Sequence, residues 1–241
     1  MESGPPDPPD PSYTFDDVSV VMGTYNETAA VESVLSAIDA ATGGRAAVIC
    51  VDGSTDATPA IAREHGARVV RQRPQGYGVA LLEGLRAADR PVVVTTDCDG
   101  TYPMDRLPDL LALVNDGYDV VSGDRLARGA DAMPALNRLG NRGFALLAGL
   151  LLGHRLGDVT TGMRAYRRRV IEDVDWTENT GLSAELLLRP LARGYAVREL
   201  PIEYDDRLGE TTLDPLAGGL AIGASVVRVC LAERLRALGR R

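Results

Sequence analysis

Lysine is absent from this 241-residue sequence, so all 26 basic residues are arginine. The acidic residues number 34, which gives a net charge of −8. This balance excludes nucleic acid as a broad partner, because binding it needs a basic face. Such an acidic surface is typical of proteins that must stay soluble in a salt-rich cytosol. Local groups of arginines can still hold phosphates.

Histidine and cysteine are also scarce. The two histidines, His65 and His154, leave no basis for a histidine-rich metal site or a Ser-His-Asp triad. The three cysteines, Cys50, Cys98 and Cys230, are widely spaced and odd in number, which indicates a reducing compartment without a disulfide framework. Any chemistry must therefore rest on carboxylates, arginines and the backbone, with or without a bound metal ion.

Long apolar runs are missing as well. No stretch reaches the roughly 18 uncharged apolar residues expected of a membrane-spanning helix. Residues 1–16 are acidic and rich in proline, which predicts a disordered leader rather than a signal peptide. The remaining length, with an ordinary apolar content, predicts one sizeable core.

Short apolar runs alternate with amphipathic stretches in the first half of the chain. This alternation predicts a mostly parallel sheet with flanking helices, a single Rossmann-like α/β domain over residues 17–213. In the second half we expect a long apolar helix at 136–152, a polar turn at 157–168 and an amphipathic C-terminal helix within 214–241. Both helices combine leucines with arginines, as membrane-interfacial helices do, but a core helix or a dimer face would show the same pattern.

Aspartates stand where several predicted strands end. Asp52 closes one strand, Asp97 and Asp99 follow another, and Asp124 ends a third. Because ligands bind beyond the carboxyl ends of parallel strands, these side chains are expected at the ligand edge. The Asp97–Asp99 pair suits Mg²⁺ or Mn²⁺, which takes a few protein oxygens and completes its shell with substrate phosphate. An isolated pair of this kind is more often a solvated turn, and Cys98 between them is expected to pack as a small apolar residue.

Four motifs occur in order along the chain: VVMGTYNE, VICVDGSTDAT, RPQGYGVAL and TTDCDGTYP. Together they resemble the inverting glycosyltransferases of family 2, which have a GT-A fold. The later segments SGDR, AMPALNRLGNR, DVTTGMRAYRR and AELLLRPLARGY are similar to the dolichol-phosphate mannose synthase branch of that family. Members of this branch move a sugar from a nucleotide to a polyprenyl phosphate. The resemblance extends over residues 18–213.

The resemblance implies a donor site in the first loops. Asp52 would accept a hydrogen bond from the base, with Asp56 supporting its turn, and the glycines of the third motif would let the backbone approach the nucleotide closely. Asp97 would contact the ribose or a metal-bound water, and Asp99 would bind the cation directly. The residues expected to bind the nucleotide sugar are Thr24, Tyr25, Asn26, Glu27, Asp52, Gly76, Tyr77, Gly78 and Asp97, and those expected to hold the metal are Asp97 and Asp99.

The resemblance also implies an acceptor site, for which arginine is suited because its planar fork can hold two phosphate oxygens. The residues expected to bind the acceptor phosphate are Arg125, Arg138, Asn141 and Arg207. Asp158 is expected near the sugar, as a hydroxyl ligand or a base, and Glu185 is a weaker candidate of the same kind. The expected catalytic residues are Asp99, Asp158 and Arg125.

The chain departs from this branch at two motifs. Thr211, Thr212 and Leu213 replace the usual Ser-Lys-Leu ending, so Arg207 is expected to take over the phosphate contact of the missing lysine. In the SGDR motif, Asp124 stands where a serine is usual, and its negative charge opposes a phosphate at the next residue.

These features predict metal-dependent transfer of a hexose, with inversion, from GDP-mannose or a UDP-hexose to a polyprenyl (dolichyl) phosphate. The lipid acceptor implies a cytoplasmic protein held peripherally at the inner face of the cell membrane, and a homodimer is left open. The alternatives are a family 2 transferase with a glycan or small-molecule acceptor, a non-catalytic nucleotide-binding regulatory protein, and a nucleotidyltransferase. The paired aspartates oppose the regulatory protein. The missing basic glycine-rich loop after the first strand opposes the nucleotidyltransferase.

Overall fold

The computed structural model describes residues 12–128, 130–209 and 215–239. Within these residues the strands are β1 (Val18–Thr24), β2 (Ala47–Asp52), β3 (Arg68–Arg71), β4 (Val92–Thr95), β5 (Val120–Asp124), β6 (Arg164–Arg167) and β7 (Val197–Pro201). They form one sheet in the order β3-β2-β1-β4-β6-β5-β7. Neighbouring strands are parallel except at β6, which runs antiparallel to β4 and β5. The mostly parallel sheet expected from the sequence is confirmed.

Helices cover both faces of this sheet. In the described part of the chain they are α1 (Val31–Thr42), α2 (Thr58–Glu64), α3 (Tyr77–Ala87), α4 (Leu107–Asn115), α5 (Ala135–Leu152), α6 (Arg168–Asp173), α7 (Leu182–Ala192) and α8 (Pro215–Leu238). Alternate residues of β1 serve opposite faces, as the pleat of a strand requires. Val20 and Met22 pack with α1 and α4, whereas Val21 packs with α3 and α7. A third apolar cluster joins α5, α7 and α8.

The expected polar turn before α6 contains β6 instead. β6 is buried although it carries Arg164 and Arg167. The Arg164 guanidinium donates to Ser122 Oγ (2.9 Å) and to the carbonyl oxygens of Val159 (3.1 Å) and Ser183 (2.6 Å). A buried strand is predicted from a run of apolar residues, and the two arginines of β6 interrupt that run because their hydrogen-bond partners are not visible in the sequence. The expectation of a turn was therefore wrong for a physical reason.

The folded domain begins earlier than expected. The backbone N–H of Tyr13 donates to Asn115 Oδ1 (2.8 Å), and the side chain of Phe15 is buried. Phe15–Asp17 forms a 3₁₀ turn with a capping box at its start. The last residues assigned to the leader therefore belong to the domain, and residues 1–11 of that expected leader lie outside the described residues.

The C-terminal helix α8 packs on the domain through one face. Val226 and Val229 are buried among α5 and α7. The buried carboxylate of Glu233 accepts hydrogen bonds from Arg189 Nη1 (2.6 Å) and Arg193 Nη2 (2.9 Å) at the end of α7. This ion-pair network fixes α8 to α7, so the helix is not a separate segment.

The outer faces of α5 and α8 are apolar and exposed. More than a third of the surface is exposed for Leu136, Leu139, Leu146, Leu147 and Leu150 on α5 and for Leu220, Leu231, Leu235 and Leu238 on α8. A groove of about 530 Å³ lies between the two helices, lined by Phe144, Gly223 and Val227 among others. A contiguous exposed apolar surface commonly marks an interaction site. In the described residues, none of the helices has both the length and the apolar character needed to cross a bilayer.

Replacing Glu233 with Gln should destabilise the fold, because Arg193 then loses its buried counter-charge and Arg189 keeps only Glu185. We expect the free energy of unfolding to fall by about 3 kcal/mol, as is typical when one partner of a buried ion pair is removed. Urea denaturation followed by circular dichroism measures this change. The control is Glu172→Gln, which breaks an exposed pair with Arg168 and should cost less than about 0.5 kcal/mol. Equal losses in the two variants would contradict the anchoring role of Glu233.

Candidate active site

The loops that follow β1, β2 and β4 meet at the carboxyl edge of the sheet. β1 pairs in parallel with both other strands, and its last residue Thr24 lies opposite Asp52. Asp97 and Asp99 lie in the loop after β4, and Glu27 lies in the loop after β1. Arg207 pairs with both Glu27 and Asp99, and Asp97 lies two residues before Asp99, so these three carboxylates form one acidic group. This is the edge at which ligands bind in open α/β sheets.

Asp52 is fully buried, and its carboxylate is saturated with donors. Oδ1 accepts hydrogen bonds from Thr24 Oγ1 (2.9 Å) and Ser54 Oγ (2.6 Å), and Oδ2 accepts from the Ser54 N–H (3.2 Å) and the Arg71 guanidinium. Arg71 was not predicted from the sequence, although the register of β2 and β3 places it directly opposite Asp52. A nucleotide base would reach this carboxylate only by displacing Arg71.

The loop after β1 is tied to the loop after β2. Asn26 has a positive φ of 56°. Its N–H donates to Ser54 Oγ (2.8 Å), and its Oδ1 accepts from the Thr55 N–H (3.0 Å). Asp56 braces the same turn by accepting a hydrogen bond from the Thr58 N–H (2.9 Å). The two loops therefore form one preshaped wall, in which Asp56 has the supporting position expected for it.

The start of α3 packs against Asn179, which lies in the loop before α7. The Gly78 N–H donates to Asn179 Oδ1 (3.0 Å), and a Cβ at Gly78 would lie 2.3 Å from the Asn179 carbonyl oxygen. Gly76 has a φ of 105°, which side chains rarely adopt. These two glycines admit the loop of Asn179, and their contact with the nucleotide stays a prediction. Asn179 carries no signal in the sequence by which it could have been found. Tyr25, the remaining expected nucleotide ligand of the first motif, is exposed.

Asp97 and Tyr77 each carry a buried side-chain oxygen without a hydrogen-bond partner among the described residues. Burial raises the pKa of Asp97 to about 6, and the charge of Asp99 adds to this effect. Burial and the Asp97 charge together raise the pKa of Tyr77. A buried carboxylate oxygen without a partner is costly. Asp97 therefore offers an oxygen that a cation would satisfy.

Asp99 and Glu27 share one arginine. Asp99 Oδ1 accepts hydrogen bonds from the Thr101 N–H (3.1 Å) and Oγ1 (2.6 Å), and its Oδ2 accepts from Arg207 Nη1 (2.8 Å). Nη2 of Arg207 donates to Glu27 Oε1. Burial raises the pKa of Glu27 to about 7, against the opposing effect of Arg207 and with a further rise from Asp99. Arg207, expected at the acceptor phosphate, thus lies on the acidic group itself.

Arg125 and Asp158 form a buried bidentate ion pair. Nε and Nη2 of Arg125 lie 2.6 and 3.0 Å from the two oxygens of Asp158, and the Thr160 N–H donates to Asp158 Oδ1 (3.0 Å). Although burial alone would raise the pKa of Asp158, the Arg125 guanidinium holds it below its ordinary value. The geometry therefore does not support Asp158 as a base. The ion pair also occupies the Nε and Nη2 groups with which Arg125 would bind a phosphate.

Arg138 and Asn141 lie near the start of α5. Arg138 Nη1 is 3.3 Å from Asp131 Oδ1, and Asn141 Nδ2 is 3.4 Å from Met133 Sδ. Both contacts hold the helix to the loop that precedes it. Binding of the acceptor phosphate by these two side chains stays a prediction. Thr211, Thr212 and Leu213 of the closing motif lie outside the described residues.

Glu185 and Asp124 shape the backbone around the site. Glu185 is fully buried and accepts hydrogen bonds from the Thr177 N–H (3.0 Å) and from Arg189 Nε (2.6 Å). This engagement corrects its candidacy as a sugar ligand. Asp124 Oδ1 accepts from the Leu126 N–H (2.9 Å), as a turn-forming aspartate does.

The acidic group fits a divalent cation that arrives with a diphosphate. Among the described residues, no three His, Cys, Asp or Glu side chains are grouped to hold a metal ion by themselves. Asp97 Oδ1 and Asp99 Oδ2 are nevertheless the kind of oxygens that Mg²⁺ and Mn²⁺ take, with waters and substrate phosphates as their other ligands. Cys98 between them is buried in the apolar core, as expected.

Comparison with known proteins agrees with this geometry. The model of glycosyl transferase family 2 matches residues 19–175 of the chain. A dolichyl-phosphate hexose transferase of Haloferax volcanii is 66% identical, over 93% of this chain and 98% of its own. A polyprenol monophosphomannose synthase of Mycolicibacterium smegmatis is 29% identical, over 78% and 77%. A crystal structure of Mycobacterium tuberculosis glucosyl-3-phosphoglycerate synthase with Mn²⁺, uridine diphosphate and phosphoglyceric acid is 26% identical, with a TM-score of 0.70 over 90% of this chain and 78% of that chain.

The sheet topology, the carboxylates at its edge and these likenesses define a nucleotide-sugar-dependent glycosyltransferase with a GT-A fold. The chain belongs to glycosyl transferase family 2. The family and the fold that the four sequence motifs predicted are therefore confirmed.

Replacing Asp158 with Asn should cost stability, because Arg125 then loses its buried counter-charge. We expect the free energy of unfolding to fall by about 3 kcal/mol, measured by urea denaturation. Asp109→Asn serves as control, because it removes a carboxylate from an exposed pair with Arg106 and should change stability little. If Asp158→Asn keeps full stability but loses turnover with an altered pH profile, Asp158 is a base after all.

The raised pKa of Glu27 should make stability depend on pH. The unfolded chain releases this proton near pH 4.5, whereas the native state keeps it until about pH 7. Stability that Glu27 contributes is therefore present below about pH 4.5 and lost as the pH rises to about 7. As the pH rises from about 4.5 to about 7, the Tm of the wild type should fall relative to the Tm of Glu27→Gln. A difference that stays constant with pH would show that the native carboxyl titrates normally.

Proposed function

We propose that the protein transfers a hexose, with glucose and mannose as first candidates, from a nucleoside diphosphate sugar to the phosphate of a polyprenyl lipid. The observation that carries this proposal is the 66% identity to a dolichyl-phosphate hexose transferase, across 98% of that protein. Asp97 and Asp99 support it, since their carboxylate oxygens are of the kind that a divalent cation takes, and such a cation would neutralise a departing diphosphate. Mn²⁺ and uridine diphosphate occur together in the solved glucosyl-3-phosphoglycerate synthase complex.

The acceptor phosphate needs no strong base in this reaction. A phosphate monoester is largely ionised near neutral pH, since its second pKa is about 6. One of its oxygens can attack the anomeric carbon, and the bond from that carbon to the diphosphate breaks as the new bond forms. The diphosphate leaves with the electron pair, and the configuration is inverted in one step. A site whose Asp158 is held in an ion pair suits this chemistry, in which positioning and charge neutralisation supply most of the catalysis.

We assign the acceptor phosphate to Arg207, Arg138 and Asn141. Arg125 is better understood as a positioning residue. Its Nη1 lies 3.3 Å from the hydroxyl of Tyr102, which accepts a hydrogen bond from the Gly162 N–H (2.6 Å). Gly162 in turn packs against the Asp97 carboxylate. Arg125 thus supports the floor of the acidic group rather than the substrate.

The donor is assigned to the paired loops after β1 and β2. This site includes Thr24 at the end of β1, the exposed Tyr25 and the preshaped turn at Asn26. Their hydrogen bonds to the β2 loop fix the wall before any ligand arrives. A preformed wall lowers the ordering cost of binding.

The exposed leucines of α5 and α8 are assigned to the membrane surface that carries the lipid acceptor. An amphipathic helix of this kind lies in the interface with its apolar face buried, and arginines favour anionic lipids. Arg142 on α5 and Arg234 on α8 are exposed alongside these leucines. Because the net charge of −8 opposes binding to anionic lipid, apolar area and local arginines must supply the attachment. We propose peripheral attachment at the inner face of the cell membrane, and pairing of two chains through the same surface is the competing use.

A second acceptor class is a small phosphorylated metabolite. The observation in its favour is the shared fold with glucosyl-3-phosphoglycerate synthase, whose complex contains phosphoglyceric acid. Both acceptors present a phosphate, so the carboxylate group alone does not separate them.

The proposed activity predicts transfer of label to lipid. Purified protein with Mn²⁺ and labelled UDP-glucose or GDP-mannose should move label to dolichyl phosphate in detergent, but not to 3-phosphoglycerate. Asp99→Asn should lower turnover about 100-fold, on the scale of losing one transition-state electrostatic contact. Asp109→Asn on α4 is the matched control and should retain activity. Label on 3-phosphoglycerate alone would show that the acceptor is a small phosphorylated metabolite. Full activity in EDTA would refute the requirement for a metal ion.

A further inference from the structure

Arg207 occupies the centre of the acidic group. Its Nη1 lies 2.8 Å from Asp99 Oδ2, and its Nη2 donates to Glu27 Oε1. The side chain of Arg207 is 32% exposed, whereas those of Asp99 and Glu27 are 10% and 13% exposed. The guanidinium therefore closes the solvent side of two nearly buried carboxylates.

The hydrogen bonds of Asp99 leave one oxygen for any further cation. Both donors of Thr101 are directed at Oδ1, at 3.1 and 2.6 Å. Oδ2 is the atom that a metal ion would take, and it is the atom that Arg207 holds. A guanidinium and a divalent cation carry charge of the same sign, so they cannot share this oxygen without strong repulsion.

The backbone that carries Arg207 is fixed, so its side chain is the part that can move. The Leu208 N–H donates to the Asp99 carbonyl oxygen (2.8 Å), and the Asp205 N–H donates to the Thr101 carbonyl oxygen (3.0 Å). Tyr204 in the same segment packs edge-on against Tyr102, with ring centroids 5.8 Å apart. Rotation of a partly exposed arginine side chain requires none of these contacts to break.

We propose that Arg207 is a stand-in cation. It neutralises Asp99 and Glu27 before the donor arrives, gives up Asp99 to the divalent cation, and is then free to pair with the acceptor phosphate. The consequence is an order of binding, in which donor with metal precedes acceptor. The second half of this inference rests on the proposed function, whereas the competition for Asp99 does not.

Competition predicts that removing Arg207 tightens metal binding while it damages catalysis. Mn²⁺ alone, titrated without nucleotide and followed by the electron paramagnetic resonance signal of the free ion, should bind Arg207→Gln about 5- to 10-fold more tightly than the wild type. This is the gain expected when a competing charge-assisted hydrogen bond, partly screened by solvent, is lost. Arg207→Lys keeps the charge and should stay near the wild type.

Arg106→Gln is the matched control for charge, because Arg106 pairs with Glu203 and Asp109 outside the acidic group. It should leave Mn²⁺ affinity unchanged. If Arg207→Gln does not fold, Arg207→Met, with a similar apolar stem, takes its place. Unchanged or weaker Mn²⁺ binding in the folded variant would overturn the competition.

The order of binding has its own test. Geranyl phosphate, a short soluble acceptor, should bind the wild type by calorimetry only when Mn²⁺ and uridine diphosphate are present. Equal binding without them would overturn the order. If Arg207→Gln binds Mn²⁺ more tightly but the wild type transfers no hexose to lipid, the competition stands and the proposed function is refuted. If the wild type transfers hexose to lipid but Arg207→Gln binds Mn²⁺ as the wild type does, only the stand-in role is refuted.

Discussion

A carboxylate that folding buries must meet a cation or several hydrogen-bond donors. Without them, its transfer out of water costs free energy that nothing offsets. At the edge of this sheet arginines meet that requirement. Arg71 holds Asp52, Arg125 holds Asp158, and Arg207 holds Asp99. Asp97 lies among them with a buried oxygen that no described residue satisfies. The acids of this edge therefore fall into two classes. Asp52 and Asp158 maintain the fold, whereas Asp97 and Asp99 are the candidates to bind a cation.

The same pairing connects the site with the apolar surface of the protein. The segment after β7 carries Arg207 across the loop of Asp99 and then leads into α8, whose outer leucines are exposed. Glu233 fastens α8 to α7 from its inner side.

Much of this arrangement was predictable from the sequence, because alternation and turn residues are local signals. The strand ends at Asp52 and before Asp97 were predicted correctly, as was their common edge. β6 was missed because Arg164 makes a buried strand look polar until its partners are in place. Asn179 was missed because its contact with Gly78 joins segments that are far apart in sequence. Arg71 was within reach, since only the register of two neighbouring strands was needed to place it.

The sequence by itself determined the fold class, the family and the edge at which the acids gather, because these follow from local periodicity and from motifs of adjacent residues. Only the tertiary structure decided which acids are engaged. Arg207 lies 108 residues from Asp99, and Arg125 lies 33 residues from Asp158. Whether a carboxylate is saturated with hydrogen bonds or free depends on such distant partners and on burial. Both the long-range contacts and the burial arise only when the chain folds.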